Sequence, residues 1–190
     1  RPGHRVTMLL DRLLRGAANP TGLVLSADNR RLYISLAGVH EIAFVDVAAA
    51  LALAAETVTP DQVRRLQENV EILEARGIAK RHEAGGLGPR SLALSEATGE
   101  VWVANYFSDT VTVLDAITGE LRATIPLGPS HERSLWRQGE LLSTDARMCY
   151  QNWFSCVSCH QEDGTVDGLN WDLANDGLGN PKSAKDLING

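Results

Sequence analysis

A gapless internal repeat of short strands, a stretch with helix-capping signals between its copies, and one Cys-x-x-Cys-His sequence predict a mixed fold. The expected architecture is a partial β-propeller of about two four-stranded antiparallel blades, one of them carrying a helical insertion. A mostly α-helical domain, truncated in this chain, is expected to follow around the cysteine motif. The boundary falls at Gly128-Pro129-Ser130, giving a propeller part at 1–129 and a second part at 130–190.

Residues 1–18 are basic and partly apolar, without a decisive period, and are expected to form the last strand of an element lying upstream. From Asn19 the repeat begins. Pro20-Thr21-Gly22-Leu23-Val24-Leu25-Ser26 recurs as Pro89-Arg90-Ser91-Leu92-Ala93-Leu94-Ser95, and Leu32-Tyr33-Ile34-Ser35 as Val101-Trp102-Val103-Ala104. Ile42-Ala43-Phe44-Val45-Asp46 recurs as Val111-Thr112-Val113-Leu114-Asp115 at the same offset of 69. Each segment alternates and is rich in β-branched or aromatic residues. Turn residues bound them at Asp28-Asn29, Thr98-Gly99 and Ser108-Asp109, which is the pattern of strands and hairpins.

A fourth strand is expected at 120–127, with its counterpart in the first copy at 78–85, an offset of 42. The underlying repeat is therefore about 42 residues, and the first copy holds 27 more. Four strands in such a length are the mark of a propeller blade. The extra residues, about 48–77, read as helical. Thr59-Pro60-Asp61-Gln62 offers an N-cap, a proline at the first helical position and a capping-box glutamine. Val63, Leu66, Val70 and Leu73 form one apolar stripe from there, and Gly77 supplies the stop. Ala48–Ala55 predicts an earlier helical turn. After the boundary, 132–145 reads as a helix with Leu135, Trp136, Leu141 and Leu142 on one side, followed by an apolar group of Met148, Cys149, Trp153 and Phe154.

At 190 residues the chain is long enough to bury a sizeable core, and its 44% apolar and 22% charged residues are those of a globular protein. A net charge of −6 argues against a nucleic-acid partner and suits docking on a basic redox partner. The longest apolar run, 47–55, is too short for a transmembrane segment. The chain lacks both a starting methionine and a signal peptide, and it reads as a mature product or an internal fragment.

Cys156-Val157-Ser158-Cys159-His160 dictates the most specific chemistry. Two thiols three positions apart can each add across a haem vinyl group, and the adjacent histidine can ligate the iron. The motif thus predicts covalent haem c on Cys156 and Cys159, with His160 as axial ligand. A thioredoxin-like pair would need a surrounding βαβ pattern, which is missing. A structural zinc site at Cys149, Cys156, Cys159 and His160 is the competing reading, although zinc ligands normally come as two spaced pairs. Once haem takes two cysteines, Cys149 is left as a buried thiol or a disulfide partner.

The blades resemble the YVTN-type β-propeller repeat, with Trp102-Val103-Ala104-Asn105 at the motif and Tyr33-Ile34-Ser35-Leu36 lacking its asparagine. That resemblance covers about 19–128. Residues 136–190 resemble the di-haem cytochrome c peroxidase and MauG superfamily through Gly139-Glu140-Leu141-Leu142-Ser143-Thr144-Asp145, the haem motif and Gly164-Thr165-Val166-Asp167-Gly168. Ser143 stands where that family commonly has phenylalanine. Lys182-Ser183-Ala184-Lys185-Asp186-Leu187 is similar to its Arg-Asn-x-Pro-Ser-Leu stretch. The second resemblance implies a cytochrome c-like domain and, as an alternative to simple electron transfer, a peroxidase-like oxidoreductase with a second haem.

Three functions are weighed on this basis: an electron-transfer cytochrome c module with a propeller scaffold, a di-haem peroxidase relative, and a zinc-stapled propeller binding module. Haem c implies maturation outside the cytoplasm, in a periplasmic or similar compartment. No catalytic residue and no second axial ligand is assigned. Histidines 4, 40, 82 and 131 are expected at the surface, and the acidic group Asp163, Asp167, Asp172 and Asp176 lacks the spacing of a calcium loop.

Overall fold

The computed structural model describes residues 5–129, 132–160, 170–171 and 182–183. Four strands, β1 (Pro20–Leu25), β2 (Arg31–Leu36), β3 (Glu41–Asp46) and β4 (Ala79–Glu83), form one antiparallel sheet in the order β1-β2-β3-β4. Between β3 and β4 lie α1 (Val47–Glu56), α2 (Pro60–Glu68) and α3 (Ile72–Ala75). A second sheet repeats the first: β5 (Pro89–Ser95), β6 (Glu100–Asn105), β7 (Thr110–Asp115) and β8 (Leu121–Pro126), again in sequential antiparallel order. These are two propeller-type blades, as the repeat predicts.

The repeat holds at the level of backbone irregularity. The β1–β2 ladder slips between Pro20 and Gly22, and the β5–β6 ladder slips between Pro89 and Ser91, at the same offset as the sequence repeat. The hairpins turn through left-handed residues of suitable type, Asn29 (φ 58°), Gly99 (φ 64°) and Asp109 (φ 51°). Both blades bury the alternating side chains that face each other. Tyr33, Ile42, Val101, Val103 and Leu114 form the shared core, and Tyr33 donates its hydroxyl proton to the Ala116 carbonyl at 2.9 Å. Ser35 donates to the Arg90 carbonyl at 2.8 Å, tying β2 to β5 where Gly22 passes too close to Arg90 for any Cβ.

The insertion is helical but broken. The Thr59–Gln62 capping box forms, and Leu66 and Leu73 of the stripe are buried. A single helix to Gly77 is not observed: Asn69 adopts extended geometry, so α2 ends at Glu68 and α3 restarts at Ile72. The break lets Leu66 and Leu73 join Leu53, Ile78 and Ala79 in one cluster. The upstream segment also differs from expectation. Among the described residues before β1 there is no strand, only an isolated bridge between Arg12 and Arg15. Val6, Met8 and Leu10 instead pack on the helical insertion.

Helix α4 (Leu135–Thr144) starts at the cap Ser134, later than the sequence suggests, and α5 (Cys156–Cys159) is one turn long. Two-residue strands β9 (Asn170–Trp171) and β10 (Lys182–Ser183) pair antiparallel. The Gly164–Gly168 stretch, the Asp163, Asp167, Asp172 and Asp176 group, and Ala184–Leu187 lie outside the described residues.

Candidate haem-attachment site

Helix α5 holds both motif cysteines. One helical turn puts positions i and i+3 on the same face, with Cβ atoms about 5–6 Å apart. Cys156 is exposed and Cys159 half-buried, and no disulfide joins any of the three cysteines. The Ser155 N–H donates to Ser158 Oγ at 3.1 Å, closing the start of the turn. At its other end the His160 N–H donates to the Cys156 carbonyl at 2.9 Å, and the His160 backbone turns extended. Both thiols and the imidazole lie within five consecutive residues, Cys156 to His160.

The imidazole bears on whether haem fits. His160 Nδ1 is buried and has no hydrogen-bond partner among the described residues. A ring nitrogen in that state costs free energy until something satisfies it. The Trp153 indole N–H is buried and unpartnered as well. An exposed Cys156, a half-buried Cys159 and an imidazole with one unpartnered ring nitrogen are residue types that fit covalent haem. Among the described residues no group of three His, Cys, Asp or Glu side chains is gathered to hold a metal ion, so the four-ligand zinc staple has no geometric support.

Cys149 lies half-buried beside Cys156, and burial followed by the neighbouring Cys156 raises its thiol pKa. It is therefore a protonated thiol rather than a ready nucleophile. The expected apolar wall is only partly there. Trp153 and Phe154 are half-buried, whereas Met148 is 62% exposed. Helix α4 buries no residue, and Leu135, Trp136 and Leu142 all face outward. Polar contacts hold it in place: Glu140 pairs with Arg90 at 2.7 Å and accepts from the Tyr106 hydroxyl at 3.2 Å.

Sequence reasoning missed what supports the motif. His40, expected at the surface, is 5% exposed at the β2–β3 turn. Its Nδ1 accepts the Gly88 N–H at 2.9 Å, which places its proton on Nε2, 3.3 Å from Asp145 Oδ2. Burial, then the Arg147 charge, holds the His40 pKa below its ordinary value. Burial pushes Asp145 the other way, yet hydrogen bonds from Arg147 outweigh it and leave the carboxyl below the usual range. His82 is half-buried, and histidines 4 and 131 lie outside the described residues. The left-handed backbone at His40 (φ 58°) and Asn19 (φ 52°) recurs at Asp109 (φ 51°) and Gly88 (φ 64°), 69 positions on, in step with the blade repeat.

This chain is similar to hydrazine synthase subunits. It is 31% identical over 113 residues to the Kuenenia stuttgartiensis subunit beta, covering 59% of this chain and 28% of that one. It is 30% identical over 124 residues to subunit gamma from the same organism, covering 64% and 33%. The solved Kuenenia stuttgartiensis hydrazine synthase overlays 60% of this chain and 31% of its own at 29% identity and a TM-score of 0.51. The chain therefore spans about a third of the length of the relatives it matches. No family model matches it. Among the described residues no helix is long and apolar enough to cross a membrane.

Proposed function

We propose that residues 130–190 carry one covalent haem c, attached through Cys156 and Cys159 with His160 as axial ligand, and that the protein transfers electrons. The propeller part, 1–129, is the scaffold on which the haem-bearing part is seated. The observation that carries this reading is the single-turn Cys156–Cys159 helix with an exposed leading thiol, followed by an imidazole whose Nδ1 has no partner among the described residues. When bound, the haem supplies an iron that changes between ferric and ferrous. The chain's own residues fix the attachment points and one ligand, and they set how much water reaches the site.

Covalent haem places the protein outside the cytoplasm, with a redox protein as partner. The outward-facing Leu135, Trp136 and Leu142 support such docking, as does the subunit status of the relatives. The test is expression of the full chain in an oxidising compartment with haem-maturation machinery. The expected result is a mass increase of one haem that survives denaturation and is lost in Cys156→Ser/Cys159→Ser. A low-spin spectrum in both oxidation states is expected of an electron carrier. A chain that stays without haem while a control cytochrome matures overturns the reading.

A further inference from the structure

The thiol-bearing turn is seated on blade 1 by a dense set of directed contacts. Asn19 Nδ2 donates to the Thr144 carbonyl at 2.9 Å and to Ser155 Oγ at 2.8 Å. Its Oδ1 accepts the Ser158 hydroxyl proton at 3.2 Å. Both N–H donors and one lone pair of the carbonyl oxygen of this side chain are thus spent on the segment that leads into and through Cys-x-x-Cys. Around it, the Gly16 N–H donates to the Asn152 carbonyl at 3.0 Å, and the Ala146 N–H donates to the Gly38 carbonyl at 2.7 Å. A Cβ on Gly16 would collide with the Trp153 backbone. Ala146 is fully buried with Leu36 and Ala18.

Ser158 is the decisive contact, because it sits between the two cysteines. Its hydroxyl accepts from the Ser155 N–H and donates to Asn19, so one atom links the start of the turn to the blade. Ser155 is only 2% exposed, so water competes poorly for these bonds. The Asn19 backbone is left-handed, a conformation that asparagine tolerates better than most residues.

We propose that Asn19 is a positioning residue: through Ser155 and Ser158, blade 1 holds the Ser155–His160 turn in its attachment-ready form before haem arrives. The proposal deepens the haem reading and rests on it for its consequence, efficient attachment. Preorganisation matters because a flexible turn must be ordered at the moment of bond formation.

The test uses the whole chain, wild type against Asn19→Gly, which keeps the left-handed backbone, and Ser158→Ala, which cuts the same link from the other side. Amide exchange is read first in the reduced chain without haem. Protection of the Ser158 and His160 N–H groups is expected to fall several-fold in both variants, with Val101 and Val103 unchanged. Haem attachment is then scored under maturation conditions, with a several-fold lower yield expected in both variants. Unchanged protection overturns the proposal. So does lost protection with undiminished haem yield, because Asn19 is then merely structural. A wild type that takes up no haem sinks the function proposed above, and the exchange arm still decides whether blade 1 holds the turn.

Discussion

His40 Nε2 stands 3.3 Å from Asp145 Oδ2, joining the β2–β3 turn of the first blade to the residue that caps the end of α4. The two are 105 positions apart in sequence, and both are buried. The other ring nitrogen accepts from Gly88, so His40 also touches the loop between the blades. One neutral imidazole therefore touches both blades and lies against the segment that follows α4.

That neutrality makes stability depend on pH. The folded-state pKa of His40 is lowered, so between the folded and unfolded values the unfolded chain binds more protons. Stability is full above the unfolded value of about 6.5. It falls as pH drops from there toward the lower folded value. Protonation also removes the acceptor for the Gly88 N–H, while Asp145 and Glu83 favour the charged ring and Arg147 opposes it. Urea unfolding at pH 7.5 and pH 5.5 should show a loss in wild type that shrinks in His40→Asn, which keeps an acceptor without a titrating ring. An equal loss in both proteins would assign the effect elsewhere, His82 being the other buried-shifted histidine.

Glu41 is 1% exposed and pairs with Arg81 and with Arg15 at 2.5 Å, with Arg12 at 3.9 Å. Arg81 also donates to the Arg15 and Gly16 carbonyls, so this group fastens the segment before β1 to the blade. Glu41→Gln should lower stability by about 3–5 kcal/mol, because it leaves a buried guanidinium without its carboxylate. Denaturant titration measures it. A loss below about 1 kcal/mol would mean that water reaches Arg81 readily.

Gly16→Ala is expected to act on the same junction by steric means. The added methyl meets the Trp153 backbone, which cannot rotate away as a side chain would. A cost of about 1–3 kcal/mol is expected from such overpacking. The checkable sign is faster proteolytic cleavage within 132–160 under native conditions, with blade 2 left intact.

Helix α4 should respond differently. The Arg90–Glu140 pair is partly exposed, with side chains 39% and 20% accessible. Glu140→Gln should cost less than about 1 kcal/mol, and the loss should diminish in high salt. A large, salt-independent loss would show that the Tyr106 hydroxyl bond, and not the ion pair, holds the helix.

The blades were legible in the sequence because strand alternation and turn chemistry are local. The shared offset of Pro20 with Pro89 and of Asp46 with Asp115 became two sheets with matching bulges. The capping box at Thr59 was legible for the same reason, whereas the Asn69 break was not: clustering of Leu66, Leu73 and Ile78 decided it. Met148, Leu135 and Leu142 read as apolar packing residues, yet all three are exposed among the described residues, and of the α4 leucines only Leu141 is half-buried.

Residue types and spacing by themselves put Cys156, Cys159 and His160 side by side, since five consecutive residues need no tertiary contact to lie together. They also determined the two four-stranded blades, because period-two burial and left-handed turn residues act over a few positions. Only the tertiary structure decided that blade 1 and the thiol-bearing turn are one mechanical assembly. Asn19 meets Ser155 and Ser158, and His40 meets Asp145, across more than a hundred residues. The left-handed backbones of Asn19 and His40 recur at Gly88 and Asp109, 69 positions on, and so belong to the repeat. A polar contact between residues so far apart in sequence becomes favourable only after the intervening chain has folded, and so leaves no local pattern to read.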